Sequence, residues 1–143
     1  MNAPSHRVVP LLLVALAACA PRPLAITIDG HREGLGHRVQ GKQQGRWTLF
    51  RPDGERAATG KFAAGVPVGI WKVFHGNGAL QEQAVMHDGL RHGEAATFRA
   101  DGSRESAGRY ERGQPTGPWQ FWTADGTLDP ARTGFYRAGV RLE

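Results

Sequence analysis

The chain has 143 residues, of which 20 are Gly and 9 are Pro, and its formal net charge is +5. This length allows one domain, or a small domain preceded by a targeting segment. The single Cys excludes an intramolecular disulfide framework and zinc sites of the Cys₂ or Cys₄ type. The high share of Gly and Pro argues against a helical bundle and is typical of a turn-rich β protein.

Residues 1–18 form a predicted signal peptide. A short basic start ending at Arg7 is followed by an apolar run that ends at Leu16 and by two Ala residues. These are the parts of a secretory signal, in which small residues precede the cleavage point. Because a transmembrane helix needs about 20 apolar residues, the run is too short for permanent insertion.

The residues Leu16, Ala17, Ala18 and Cys19 resemble the bacterial lipobox. The resemblance implies that the Cys19 thiol receives a lipid and becomes the first residue of the mature chain. Several acyl chains on one residue would hold the protein firmly at a membrane, whereas one chain binds only marginally. Since no Asp follows the Cys, the resemblance implies the outer membrane, facing the periplasm, in a host with two membranes. The alternative is an ordinary signal peptide with a chance Cys.

A repeat of 24 residues dominates the chain after the signal. Its clearest columns are Gly45, Gly69, Gly93 and Gly117; Gly54, Gly78, Gly102 and Gly126; Phe50, Phe74, Phe98 and Trp122; and Trp47, Trp71 and Trp119, where the third unit has Ala95. The predicted units are approximately 41–64, 65–88, 89–112 and 113–139, within a repeat region of 37–143. Residues 19–36 are expected to hold the anchor, a linker and a degenerate half-repeat.

Each unit is predicted to be a β-hairpin. Gly54, Gly78, Gly102 and Gly126 each follow an Asp or Asn, and such pairs supply the positive φ angles of tight hairpin turns. The Asp residues at 53, 101 and 125 are expected to support these turns by local hydrogen bonds and not to act as acids or bases.

This pattern resembles MORN-type repeats, in the variant found in bacterial antitoxin-like repeat proteins. The resemblance covers residues 24–143, with Ala95 as a departure from the motif Trp. It implies an all-β fold, an elongated single-layer antiparallel meander of successive hairpins.

The aromatic columns suggest a binding surface of Trp47, Trp71, Ala95, Trp119 and Trp122. Because Ala95 interrupts the Trp column, we hypothesise a shallow aromatic-walled notch there, suited to a sugar ring, an acyl chain or a partner's side chain. The alternative is that these residues pack against one another and a neighbouring side chain fills the gap.

The sequence contains no recognised catalytic motif, so no catalytic residue and no cofactor are predicted. His87, Asp88 and His92 bracket one turn, but their spacing matches no established zinc motif, and a solvated turn is favoured over a metal site.

Basic residues concentrate near the predicted anchor: residues 19–72 hold 9 Lys and Arg against 4 Asp and Glu. Those available to meet anionic headgroups are Arg22, Arg32, Arg38, Lys42 and Arg46. An ordinary solvated surface is the alternative. A nucleic-acid partner is not expected, because export removes that ligand and acidic residues are interleaved.

The leading prediction is a non-enzymatic, lipid-anchored envelope protein whose repeats bind a protein or envelope component. An antitoxin-like protein that neutralises a partner is one alternative. The other is an enzyme acting on envelope glycans or lipids, which requires paired carboxylates in one cleft, for instance Glu82 and Glu105 facing each other.

Overall fold

Ten antiparallel strands, each hydrogen-bonded to the next in chain order, form one open sheet in the computed structural model, which describes residues 34–142. The strands are β1 (Leu35–Val39), β2 (Lys42–Phe50), β3 (Arg56–Ala63), β4 (Val66–Phe74), β5 (Leu80–His87), β6 (Leu90–Phe98), β7 (Arg104–Glu111), β8 (Gln114–Phe121), β9 (Gly134–Arg137) and β10 (Val140–Arg141). The predicted all-β meander of hairpins is confirmed. The signal segment, Cys19 and the half-repeat before residue 34 lie outside the described residues.

Tight two-residue turns join β1 to β2, β3 to β4, β5 to β6, β7 to β8 and β9 to β10. Both residues of each turn have positive φ; the second is a Gly, at position 41, 65, 89, 113 or 139. Two positive φ angles give a turn the twist of its flanking strands, so these are the tight hairpin turns of the repeat.

The Asp-Gly and Asn-Gly sequences lie in longer loops, and the prediction that they form the tight turns was wrong. Loops 51–55, 75–79 and 99–103 each close with a hydrogen bond from the first N–H to the last backbone oxygen. Gly54, Gly78, Gly102 and Gly126 do have the expected positive φ, between 84° and 90°. Asp53 and Asp101 accept the N–H two residues later at 2.9 and 2.8 Å, so their predicted role in the turn is confirmed.

One column of polar side chains connects successive units along the long-loop edge. The guanidinium of Arg51 donates to the backbone oxygen of Phe74, and that of Arg99 donates to the backbone oxygen of Trp122. In the unit between them, His75 Nε2 lies 2.8 Å from the backbone oxygen of Phe98. Each unit therefore contacts its neighbour through the same position, which is how repeat arrays gain stability.

The core lies on one face of the sheet, here called the inner face, which carries the Trp column; the opposite face is the outer face. The buried residues fall into two clusters. The first contains Trp47, Leu49, Ala58, Phe62, Trp71 and Met86, and the second contains Ala84, Ala95, Tyr110, Trp119, Phe121 and Tyr136. The division between them falls on β5, which contributes Met86 to the first cluster and Ala84 to the second, next to the strand in which Ala95 replaces the Trp.

Replacing Gly54 or Gly102 by Ala is expected to lower the free energy of unfolding by about 1 kcal/mol each, because both have φ near 90°. At Gly102 no atom lies within 4 Å of the added Cβ, so backbone strain is the expected cause there. Urea denaturation measures the loss. Gly76→Ala, which meets no atom within 4 Å and needs no positive φ, is the control; equal stability of all three variants would contradict the assignment.

Candidate functional site

The three tryptophans of the predicted binding surface are core residues. Trp47, Trp71 and Trp119 are 4%, 0% and 1% exposed. Each indole N–H donates to the backbone oxygen ten residues earlier, at 3.0 to 3.1 Å. The prediction of an exposed aromatic surface was therefore wrong for these residues, because the rings and their polar atoms are used within the fold.

A Gly on the preceding strand lies against each indole. The pairs are Gly36 with Trp47, Gly60 with Trp71, and Gly108 with Trp119. A Cβ at any of these Gly positions would come within 2.2 Å of the indole ring. The absence of a side chain is thus what lets the large ring sit flat on the neighbouring backbone.

Both members of this pair change where the second unit meets the third. Ala84 stands in the Gly column and Ala95 in the Trp column, and the two are cross-strand partners. The change at Ala84 can be seen in the sequence, because Gly36, Gly60 and Gly108 lie at multiples of 24 residues and Ala84 falls in the same column. The sequence analysis considered only the missing Trp. The loss of the ring and the loss of the Gly belong together.

An ion pair lies in the core beside the two Ala residues. Arg91 Nε and Nη2 donate to the two carboxylate oxygens of Glu82 at 2.7 and 2.9 Å, and both side chains are 10% exposed. The guanidinium carbon lies 5.4 Å from the ring centroid of Tyr110, whose hydroxyl pKa is raised by burial. Ala95 itself is 7% exposed, but it also lines a recess on the outer face of the sheet, so the notch hypothesised at this position stays a prediction.

Trp122 is the one member of the predicted set that stays partly exposed. The guanidinium of Arg104 lies over its ring, 5.9 Å from the centroid, and its backbone oxygen accepts from Arg99. It therefore belongs to the long-loop edge and not to the same surface as the three buried tryptophans.

Ala95→Trp is expected to lower the free energy of unfolding by about 2 kcal/mol, because the new indole would meet the Cβ of Ala84. Adding Ala84→Gly restores the Trp–Gly pair of the other units and should recover part of the loss. A double-mutant cycle in urea measures the coupling, with Ala84→Gly alone as the control. A single variant as stable as the wild type would show that the site has room for the ring.

A trough of about 800 Å³ lies on the outer face between β4 and β8. Ala96 and Ala107, direct cross-strand partners with small side chains, lie at its middle. Ile70 lines one end and Pro118 the other. Volumes of this size are typical of binding clefts, so the trough is the candidate functional site. Sequence reasoning missed it because it followed the large side chains of the inner face.

The carboxylates considered for catalysis have structural partners. Glu82 is held by Arg91, whereas Glu105 accepts a hydrogen bond from the Thr97 hydroxyl at 3.3 Å. His87 Nδ1 lies 3.3 Å from Asp88, and its ring centroid is 5.7 Å from that of His92. Within residues 34–142, no group of three or more His, Cys, Asp or Glu side chains is arranged to hold a metal ion.

Asp125, like Asp53 and Asp101, accepts hydrogen bonds from residues of its own loop. Hydrogen bonds from Thr123 and Thr127 lower the pKa of its carboxyl to about 2. The corresponding carboxyl of Asp101 has its pKa lowered by a hydrogen bond from Ser103. Both groups are therefore ionised near neutral pH, which suits a turn acceptor.

None of the described residues belongs to a helix long and apolar enough to cross a membrane. No protein-family model matches the chain, and no curated protein matches it.

Proposed function

We propose that the chain is a non-enzymatic, lipid-anchored protein of the cell envelope whose repeats serve as a scaffold for binding a protein or envelope component. The anchor is Cys19, and the binding element is the outer face of the sheet. The observation that carries the scaffold proposal is the trough, which is open, spans several units and lies on the face that the core does not use.

The distribution of side chains supports binding over chemistry. The inner face is committed to packing, while the outer face presents Gln83, Glu94, Arg109 and Gln120 around the trough. Such a wide, open recess suits contact with a large partner, whereas catalysis of acyl or glycosyl transfer needs groups converging in a water-excluding site. The basic residues Arg38, Lys42 and Arg46 lie on β1 and β2, the first two strands of the sheet.

The anchor is tested by growing the native host with an alkyne fatty acid and comparing wild type with Cys19→Ser. We expect label on the wild-type protein and none on the variant. Membrane fractionation of the same cells should place the wild type in the envelope fraction. Unlabelled wild-type protein with a free thiol would overturn the anchor, and recovery of the protein in the cytosol would favour the antitoxin-like alternative.

A further inference from the structure

Three cations lie close together on the outer face at the N-terminal end of the sheet. Arg46 on β2 and Lys61 on β3 are direct cross-strand partners, and Lys72 on β4 is the partner of Thr59, two residues from Lys61. All three are exposed. Like charges directly opposite each other destabilise a sheet, so this arrangement is unfavourable for the protein alone.

No acidic side chain relieves the repulsion within this part of the sheet. Residues 34–74 contain 7 Lys and Arg residues. The acidic residues of the same range are Asp53 and Glu55, and both lie in loop 51–55. The ion pairs between described residues lie elsewhere, in β5, β6 and the turn between them. Along the outer face of the described strands, the first acid is Glu94 on β6, opposite Arg109 on β7. The cationic cluster therefore has its charge available to a partner.

Exposed apolar side chains accompany the trough at both ends. Ile70 is 57% exposed and pairs across the strands with Val85. At the other end Phe135 is 61% exposed and pairs with Pro118. Large exposed apolar side chains beside a recess are typical of interaction surfaces.

We infer that the outer face binds an acidic, amphipathic segment of a protein partner. Its apolar side chains cover Ile70 and Phe135 at the ends of the trough, and its carboxylates meet Arg46, Lys61 and Lys72. A purely anionic polymer or a lipid headgroup layer would satisfy the cations but leave the apolar side chains in water, whereas interface cores combine both kinds of contact. The inference rests on the proposed scaffold function and specifies the chemistry of its partner.

The dimensions fit such a segment. From β4, which carries Ile70, to β9, which carries Phe135, there are five inter-strand steps, or roughly 24 Å. About seven extended residues or about 16 helical residues cover that length. The cationic cluster continues the same face by two further strands, so the acidic part of the segment extends beyond the apolar part.

The experiment places the photo-cross-linking amino acid p-benzoylphenylalanine at Gln83, an exposed residue in the trough, in the full-length protein in its native host. The control position is Gly76, which is exposed at the long-loop edge and meets no atom within 4 Å. Irradiated adducts are purified and the cross-linked peptide is identified by mass spectrometry. We expect a protein adduct at Gln83 only, joined to a peptide that is acidic and carries large apolar residues.

Charge reversal supplies the second readout. Lys61→Glu with Lys72→Glu should lower the adduct yield about tenfold. Arg104→Glu with Arg112→Glu changes the net charge equally on exposed residues, one at each end of β7, and should leave the yield unchanged. Because Lys61→Glu removes a repulsion with Arg46, the test variant is expected to stay folded, which its melting temperature checks.

An adduct to a second copy of this chain, to a lipid or to a glycan would overturn the inference. So would a yield at Gln83 no higher than at Gly76, or a yield insensitive to the Lys61 and Lys72 changes. The outcome is separable from that of the anchor: a labelled, envelope-bound protein without the adduct refutes only the partner, and an adduct formed by unlabelled protein refutes only the anchor.

Discussion

Gly60→Ala is expected to lower the free energy of unfolding by about 3 kcal/mol, a large loss for the addition of one methyl group. The added Cβ would stand 2.2 Å from the indole of Trp71, which is fully buried and hydrogen-bonded to Lys61. The ring cannot retreat, since Phe62 packs edge-on against it with 4.9 Å between the ring centroids. Urea denaturation of the two proteins gives the difference directly.

Two comparisons separate this clash from a general effect of Ala. Gly76→Ala should change stability by less than about 0.5 kcal/mol, because its Cβ meets nothing. Combining Gly60→Ala with Trp71→Ala copies the pair of Ala84 and Ala95 and should cost less than the sum of the two single losses. Strict additivity, or a Gly60→Ala loss below about 1 kcal/mol, would show that the indole is not seated on this backbone.

The sequence was sufficient to predict the sheet, because hairpin units at a fixed period leave few topologies. Recurring Gly residues and the Asp-Gly pairs marked every turn, and the all-β meander follows from them. The predicted tight turns were placed at the Asp-Gly pairs, because Asp-Gly is a stronger sequence signal for a two-residue hairpin turn than a pair such as Ala64-Gly65. In the structure Ala64, a non-Gly residue, has positive φ. The number of residues in each turn depends on the register of the paired strands, and the residue types alone do not determine that register.

The candidate site was predicted poorly because exposure is a property of the whole sheet. Considered one at a time, Trp47 and Trp119 resemble residues that stack on a ligand. In the structure each indole packs against a Gly on the neighbouring strand. Conversely, Ala96 and Ala107 carry no chemical signal, and only their pairing across β6 and β7 creates the recess. The change at Ala95 marks the place where Ala replaces both the Trp and the Gly of the other pairs, and Glu82 and Arg91 form a buried ion pair on the same two strands.

Arg91→Met is expected to lower the free energy of unfolding by about 3 to 5 kcal/mol. The variant keeps much of the apolar length of the side chain, but the Glu82 carboxylate would lose two charge-assisted hydrogen bonds and stay buried. The reverse change, Glu82→Met, should cost less, because Arg91 lies two residues from the turn residue Gly89 and its long side chain can reach water. Urea denaturation of both variants measures the asymmetry.

The double variant with Met at both positions shows what the pair itself contributes. Arg91→Met leaves the Glu82 carboxylate buried without its ion-pair partner, and this is the expected main cost of the variant. Removing the carboxylate as well should therefore restore most of the lost stability, since apolar replacements of buried ion pairs are often neutral. Arg109→Met, a change at an exposed Arg of the outer face, should stay within about 0.5 kcal/mol and controls for loss of positive charge. A double variant no more stable than Arg91→Met would mean that the guanidinium supports the third unit through Tyr110 and not through Glu82.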